Sequence, residues 1–439
     1  MVDPLRRLSS APRQPEGRDA PRRRPVDGQK WPSPSRPTRI ETTLASIPWW
    51  GRVLAIFLAS RIVTTAIFLI VASLQHASDR TGEHPGFVEF ANIWDGQWYW
   101  FINAAGYPSE IPRTDDGFVQ ENAWAFMPAY PMLLRLFTAW GIPFPAIAPV
   151  VSMLFAAAAA LVFFRLMSRF LPQGSAYFAT ALFLFAPLST ILQVSYAESM
   201  HLFLLFTALL LLVDRRYVLL IPVVIVMALT RPSGLAFALV LLLHLVHRFV
   251  TRGRDPFPWR ERIEVVVAGL VSAIAGVAWL LIAWAVTGDP SAYTDTEFAW
   301  RRGFGVEGDL IPFTPWPQAG QFWFENWWHV PEPWGLVLGV IAVVSLVGGF
   351  VAFLILPWAR RLGPDIRYWL IAYALYLLAV FFPQSSIFRL LVPFAPALGA
   401  LAVPKSPVWR TALLVAGVIG QVIWTYGLWR ADVYDWTPP

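Results

Sequence analysis

Asp95 is the residue whose type and setting in the sequence are best suited to chemistry. It stands in the hexapeptide WDGQWY at residues 94–99, soon after the first long apolar run. A carboxylate beside a membrane is costly unless it has a use, and a positioned carboxylate can take the proton from an attacking hydroxyl group. Trp94, Trp98 and Tyr99 offer ring faces that could stack on a sugar or hold a lipid chain. The alternative interpretation is an interfacial aromatic anchor beside a solvated aspartate.

A second motif, NAWAFMPAYP, occupies residues 122–131. Its prolines flank an aromatic turn that could enter a helix. Asn122 and its neighbour Glu121 could face the same cavity as Asp95, and Asn122 and Tyr130 are predicted to contact a substrate. The alternative is a turn with aromatic anchors.

A third motif, SYAES at residues 195–199, lies between two apolar runs. Glu198 opens the second run, where the N-terminus of a helix favours a carboxylate. Tyr196 and Glu198 are predicted to shape a substrate pocket or to orient cationic side chains, although Glu198 could also be a simple helix cap. His201, one turn further along, is interpreted as a hydrogen-bonded packing residue.

Two arginines stand in further motifs, TRPSG at residues 230–234 and PQSSIFR at residues 383–389. A guanidinium group can bond two phosphate oxygens at once, so Arg231 and Arg389 are predicted to bind a phosphate. Gln384 is predicted to contact the substrate. Arg389 could instead extend to the membrane surface, and Arg61, midway through the first apolar run, is a further buried charge that needs a partner.

The composition is that of a membrane protein with several spans. Of the 439 residues 56% are hydrophobic and 14% are charged, against about 25% charged in soluble proteins. The chain has no cysteine, which excludes thiol nucleophiles, disulfides, zinc–thiolate sites and iron–sulfur clusters. The net charge is +6, and beyond the N-terminal segment the basic residues fall in short loops between apolar runs, so nucleic-acid binding is not expected. No convincing metal-ligand cluster and no Walker or Rossmann fingerprint is present, and a metal is not indicated.

The apolar runs predict an all-α polytopic membrane protein with about eleven transmembrane helices. The predicted spans are 52–74, 146–164, 175–193, 199–213, 217–230, 234–249, 263–286, 335–357, 366–382, 387–403 and 408–429. Two long loops, 76–145 and 288–334, separate some of them. In the first, residues 98–104 and 123–140 are predicted to form helices that lie at the membrane interface. No internal repeat is found, which argues against a transporter built from duplicated halves.

Loop charges predict the orientation and the domain organisation. Residues 1–48 are rich in proline, arginine and serine and are predicted to be a disordered, basic, cytoplasmic tail. Residues 49–430 then form one transmembrane domain, and 431–439 an extracytoplasmic tail. With that orientation, the cytoplasmic loops are basic and the two long loops, which carry most of the acidic residues, are extracytoplasmic. The predicted location is the cell membrane.

The motifs, in this order and on one predicted side of the membrane, resemble those of the PIG-V-type mannosyltransferases of the GT-C superfamily. The matching positions are 94–95, 106–108, 125–131, 195–199, 231–234 and 388–389. The composition, rich in alanine, valine, leucine and arginine, is typical of an actinobacterial member. The Arg-Pro-Ser-Gly stretch departs from the eukaryotic pattern, so acceptor contacts are not carried over to it.

The resemblance implies a membrane glycosyltransferase that moves mannose from a polyprenyl-phosphate-mannose donor. It implies an inverting mechanism with Asp95 as general base and a glycolipid, glycan or protein acceptor at the extracytoplasmic face. Arg231 and Arg389 would hold the donor phosphate. Because that phosphate is already ionised, a metal is not required on chemical grounds. The alternative from another class is a flippase or transporter for a lipid-linked sugar, which would need the arginines but no base.

Overall fold

Helices dominate the structure because a helix satisfies its own backbone hydrogen bonds, which lipid cannot do. The computed structural model describes residues 47–302 and 311–432. Its helices of ten residues or more are, in chain order, α1 (Trp49–Ala72), α2 (Asp95–Ala105), α3 (Ala129–Thr138), α4 (Phe144–Met167), α5 (Gln173–Leu184), α6 (Glu198–Val213), α7 (Tyr217–Ala228), α8 (Gly234–Thr251), α9 (Trp259–Thr287), α10 (Ala292–Arg302), α11 (Pro315–Trp327), α12 (Trp334–Ile355), α13 (Gly363–Val380) and α14 (Pro407–Trp424).

Short elements connect these helices. They are the four-residue helices Phe87–Phe90, Pro357–Arg360, Ile387–Leu390 and Leu398–Leu401, the 3-10 helices Ala123–Ala125, Ser189–Gln193 and Val392–Ala397, and a π-helical turn, Thr425–Trp429. In residues 47–302 and 311–432 the β-structure consists of isolated bridges, and no strand forms. The predicted all-α fold class is confirmed.

Six helices in the described ranges are long and apolar enough to cross a membrane: α1, α4, α8, α9, α12 and the stretch from Pro407 to Trp429 that includes α14. Much of their surface faces away from the protein, and only 6% of the most apolar window of α12 is buried. Such exposed apolar helices fit a hydrocarbon environment and not water. The chain is therefore a membrane-embedded protein.

The other predicted spans also coincide with helical segments. Helix α13, with 18 residues, is as long as α8, and the remaining segments are shorter. Helix α6 has 16 residues and α7 has 12, which at about 1.5 Å per residue is less than the roughly 30 Å of a hydrocarbon core. The predicted span 387–403 is divided into short helices, with Pro393 and Pro396 inside the middle one, because proline cannot donate a helical hydrogen bond. The count of eleven stays a prediction.

The two long loops contain helices of their own. In the first loop, α2 begins at Asp95, three residues before the predicted start of the interfacial helix. The predicted helix over 123–140 is divided into a 3-10 turn and α3, because Pro128 lies between them at the residue that precedes α3. The second loop contains α10 and α11.

Glycine allows α8 and α9 to approach closely. A Cβ atom at Gly234 would lie 2.7 Å from the Cα atom of Gly276. That separation is too short for a Cβ atom, so a residue with a side chain would push the helices apart. The Ser272 hydroxyl donates to the Gly234 carbonyl oxygen at 2.8 Å. This contact fixes the first residue of α8 and therefore the residues just before it, which include Arg231.

The described residues from Trp49 onward belong to one compact unit. Its largest hydrophobic core lies around α4 and α6, where the rings of Phe163, Phe183 and Phe206 meet at centroid distances of 4.9–5.4 Å. The predicted basic tail falls almost wholly in residues 1–46, outside the described residues, as do residues 433–439 of the predicted C-terminal tail.

Candidate functional site

A cavity of about 350 Å³ opens where three helices begin. Asp95 is the first residue of α2, Glu198 is the first residue of α6, and Arg231 precedes α8 by three residues. All three residues line the cavity, and so does Arg389 from the short helix Ile387–Leu390. The N-terminal ends of helices carry unpaired N–H groups and a partial positive charge, so the cavity lies in a setting that favours anions.

Asp95 is aimed into the cavity by a strained residue before it. Trp94 has φ = +58°, which is an uncommon backbone conformation for a residue other than glycine. Residues in such a conformation are found where the surrounding structure stabilises it. The Trp94 indole N–H donates to the Trp429 carbonyl oxygen at 2.8 Å, and the Asp95 backbone N–H donates to the Tyr196 hydroxyl at 3.3 Å. These contacts fix the direction in which α2 starts.

Glu198 follows a 3-10 turn, Ser189–Gln193, that a buried arginine holds. Arg61 donates to the carbonyl oxygens of Ser189 at 3.0 Å and Leu184 at 3.3 Å. The buried charge noted in the sequence therefore has backbone and side-chain partners, and Arg61 is not among the residues that line the cavity. It positions the segment that leads into α6.

Asp95, Glu198, Arg231 and Arg389 form one network, here called the cavity cluster. Arg231 Nη1 donates to Glu198 Oε1 at 3.0 Å, and Arg389 Nε lies 3.5 Å from the same oxygen. Arg389 Nη1 also pairs with Asp95 Oδ2. The formal charges of the four groups sum to zero, as expected for charges taken out of water. An incoming anion would therefore have to compete with the carboxylates for the guanidinium groups.

Several buried polar atoms at the cavity have no hydrogen-bond partner within the described part of the chain. They are Glu198 Oε2, both ring nitrogens of His201, Trp300 Nε1 and Arg389 Nε. Buried polar groups are nearly always paired, so such a concentration at one cavity marks it as a place where a ligand binds.

Helix α10 lines the cavity and makes several contacts with its surroundings. The Asn122 side-chain N–H donates to the Thr296 hydroxyl at 2.8 Å. The Trp300 ring packs edge-on against Trp98 at a centroid distance of 6.1 Å. Arg301 donates to the Val380 carbonyl oxygen at the end of α13. The second long loop thus contributes a wall of the site.

Glu297 on α10 brings a further carboxyl group to the cavity. Burial raises the pKa of Glu297, and the nearby Arg301 and Tyr293 offset only part of that rise. Burial likewise raises the pKa of Tyr293 well above its ordinary value. A carboxyl group with a raised pKa can donate a hydrogen bond at a higher pH than an ordinary glutamate can.

The predicted site residues fall into two groups. Six of them line the cavity: Asp95, Tyr99, Glu198, Arg231, Gln384 and Arg389. The others are not among the lining residues and instead contact the elements that carry them: Trp94, Trp98, Asn122, Tyr130 and Tyr196. Their substrate contacts stay predictions, and the structure assigns them packing or hydrogen-bonding roles.

Two tyrosines illustrate the supporting role. The Tyr130 hydroxyl bonds Ser152 Oγ at 2.8 Å, and its ring meets the Tyr99 ring at a centroid distance of 5.1 Å. The Arg389 guanidinium carbon lies 5.3 Å from the centroid of the Tyr196 ring. Tyr130 therefore fixes Tyr99, and Tyr196 fixes both Arg389 and the start of α2.

Sequence reasoning missed the wall that α10 provides. Tyr293, Glu297, Trp300 and Arg301 all line the cavity, and their spacing of four, seven and eight residues is that of one helix face. The signal was present, but the segment 288–334 was predicted only as a loop that closes over the acceptor, and none of these residues was predicted to line the site. His201 was interpreted as a paired packing residue, whereas its ring nitrogens are unpaired among the described residues.

No group of three or more histidine or acidic side chains in the described ranges is arranged to hold a metal ion. Comparison with models of known protein families and with the curated proteins finds no match to this chain. The resemblance to PIG-V-type mannosyltransferases therefore stays a prediction, and the function is argued from the site.

Proposed function

We propose that this protein is a membrane glycosyltransferase that moves mannose from a polyprenyl-phosphate donor to a hydroxyl group of a glycolipid, glycan or protein. The observation that carries the proposal is the meeting of Asp95, Arg231 and Arg389 at one cavity of a membrane-embedded protein. Asp95 provides a base for the acceptor hydroxyl, and Arg231 and Arg389 provide two cations for the donor phosphate. The motif resemblance to the PIG-V-type mannosyltransferases supports mannose as the sugar.

The donor phosphate binds by exchange within the cavity cluster. Phosphate oxygens replace carboxylate oxygens as acceptors for Arg231 and Arg389, since a guanidinium group accommodates either anion with similar geometry. The helix N-termini at the cavity favour the added negative charge. Exchange releases the Asp95 carboxylate from Arg389 and leaves its oxygen atoms available to accept the proton of the acceptor hydroxyl.

The reaction is a single displacement. The acceptor hydroxyl oxygen forms a bond to the anomeric carbon while the bond from that carbon to the phosphate oxygen breaks. The electron pair leaves with the polyprenyl phosphate, whose increased charge the two arginines stabilise, and the hydroxyl proton passes to Asp95. Attack opposite the leaving group inverts the configuration at the anomeric carbon.

The proposed membrane arrangement has eleven spans, a cytoplasmic N-terminus and an extracytoplasmic cavity. It rests on the basic character of alternate loops and on apolar helical segments at the positions of the spans. Helices shorter than a hydrocarbon core would be accommodated by local thinning of the bilayer or by packing within the protein.

The test is transfer of labelled mannose by purified protein in nanodiscs, with polyprenyl-phosphate mannose as donor and a membrane lipid extract as the source of acceptor. Asp95→Asn should lower transfer roughly 10²- to 10⁴-fold, the usual contribution of a general base, and should retain donor binding. The matched control is Asp214→Asn, because Asp214 pairs with Arg169 at 2.7 Å and does not line the cavity.

Each result has a separate meaning. Normal transfer by the Asp95→Asn protein would remove Asp95 from the mechanism. Donor binding and movement across the bilayer by both proteins, with no transfer in any extract, would favour a flippase. Absence of donor binding by the wild-type protein would contradict the proposed donor.

A further inference from the structure

His201 differs from two other histidines of the chain that lie within helices. His244 is paired on both ring nitrogens, with Asp365 at 2.7 Å and with the Tyr217 hydroxyl at 3.0 Å, and His247 is paired with the Tyr368 hydroxyl at 3.0 Å. His201 is 2% exposed, and neither ring nitrogen has a partner among the described residues. A histidine that served only in packing would be expected to have a partner, as these two do.

The unpaired atoms of His201 belong to a group at the cavity. Glu198 lies one helical turn before His201, on the same face of α6, and its Oε2 atom is also buried and unpaired in the described part of the chain. Trp300 contributes an indole N–H from α10 that has no partner within residues 47–302 and 311–432. All three residues line the same cavity.

The donors and acceptors in this group identify the kind of ligand that would satisfy it. A neutral imidazole offers one donor and one acceptor, the carboxylate oxygen accepts, and the indole N–H donates. A phosphate without a proton can only accept, so it would leave Glu198 Oε2 and one imidazole nitrogen unpaired. A hydroxyl group donates and accepts, so neighbouring hydroxyl groups on a sugar match both kinds of atom.

We propose that His201 and the free oxygen of Glu198 bind hydroxyl groups of the sugar that is transferred. This inference rests on the proposed function, and it divides the cavity into two subsites. Arg231 and Arg389 bind the phosphate of the donor, while His201, Glu198 Oε2 and the Trp300 indole bind its sugar. The aromatic side chains Tyr293 and Tyr376, which also line the cavity, provide apolar ring faces for the carbon skeleton.

The test compares two lipids, polyprenyl-phosphate mannose and polyprenyl phosphate without a sugar, in binding to protein in nanodiscs. His201→Phe keeps a planar ring and removes both nitrogens. It should weaken binding of the mannose lipid roughly 10- to 100-fold, the effect of losing one or two buried hydrogen bonds. Binding of polyprenyl phosphate should stay within about twofold. His201→Asn, which retains a donor and an acceptor, should recover part of the loss, and His247→Phe is the control for a helical histidine outside the cavity.

A second measurement does not depend on the folding of any variant. Wild-type protein is titrated with polyprenyl-phosphate mannose analogues that each lack one hydroxyl group, and at least one should bind roughly tenfold more weakly. Equal binding of all analogues, or an equal effect of His201→Phe on both lipids, would overturn the sugar subsite while leaving the donor assignment intact. Failure of wild-type protein to bind either lipid would instead overturn the proposed function, and the sugar subsite with it.

Discussion

Two charged clusters lie near the two ends of helix α8, and their formal composition is the same. The cavity cluster, near the N-terminal end, has two arginines and two carboxylates. The second, here called the loop cluster, consists of Arg215, Arg248, Asp255 and Glu261. Helix α8 has 18 residues, so at about 1.5 Å per residue the clusters are separated by roughly 27 Å.

The clusters differ in exposure and in what surrounds them. The side chains of Asp95 and Glu198 are 10% and 4% exposed, whereas those of Asp255 and Glu261 are 40% and 28% exposed. The residues of the cavity cluster line an open volume. The ion pairs of the loop cluster hold the connection between α8 and α9. Charge content alone therefore does not identify a site. Low exposure of the carboxylates beside an open volume distinguishes one cluster from the other, since each cluster contains a buried arginine Nε, of Arg389 or Arg248, without a hydrogen-bond partner among the described residues.

The largest effect that would test this difference is expected from arginine-to-lysine substitutions in both clusters. Arg389→Lys keeps a positive charge but removes the planar group that can bond two oxygens. Transfer of mannose should fall roughly 10²- to 10³-fold, as when a preorganised transition-state contact is lost. Arg215→Lys should change transfer by less than about twofold because an exposed pair contributes little. Transfer rates and donor affinities of both variants, measured in nanodiscs, provide the check.

An equal loss of mannose transfer in the two variants would contradict the comparison of the two clusters. If Arg215→Lys lowered transfer as strongly as Arg389→Lys, both ends of α8 would be equally important for the reaction. Size-exclusion profiles of the two variants separate such a result from a general loss of folded protein.

A smaller effect is expected where α10 covers the cavity cluster. Asn122→Ala removes the hydrogen bond to Thr296 on α10, together with local bonds to the Gln120 carbonyl oxygen and from the Trp124 backbone N–H. Loosening of α10 should raise the KM for the acceptor roughly threefold to tenfold, the value of the one bond that reaches α10. The control is Asn326→Ala, because Asn326 is exposed and bonds only within its own helix at 2.9 Å. An unchanged KM in Asn122→Ala would mean that α10 stays in place without this contact.

The smallest effect on transfer is expected for Asp255→Asn, which should affect only stability. The hydrogen bond from Arg215 is the main cause that lowers the pKa of Asp255 below its ordinary value of 3.8. A carboxyl group whose pKa is lower in the folded state stabilises that state above its unfolded pKa, and the contribution is lost as the pH falls. Wild-type protein should melt slightly above the variant at pH 7. The difference should begin to shrink near pH 3.8 and should disappear only as the pH falls through the lower pKa of Asp255 in the folded state. Equal melting temperatures at pH 7 would show that this exposed pair contributes nothing.

Much of the fold could be predicted because hydropathy is a local property. The apolar runs coincide with helices, and the start of α8 at the last residue of the Arg-Pro-Ser-Gly stretch follows from residues close in sequence. Helix lengths were predicted less well. The turns around Pro128 and Pro393 shorten helices in ways that a count of apolar residues does not show.

The candidate site was predicted in part. Asp95, Arg231 and Arg389 stand out because charges near apolar runs are costly. Trp94 and Asn122 were predicted to contact substrate because aromatic and amide groups often do, but their hydrogen bonds to Trp429 and Thr296 come from distant segments. Such partners depend on packing and leave no local signal.

The sequence by itself determined that this is a helical membrane protein and which charged residues need an explanation, since both follow from the cost of placing polar groups in lipid. Only the tertiary structure decided that Asp95 pairs with Arg389, 294 residues away, and that His201 lines a cavity with its ring nitrogens unpaired among the described residues. The physical reason is that an ion pair or an unpaired atom is a property of the surroundings. Those surroundings form only when α2, α6, α8 and the segment that carries Arg389 pack together.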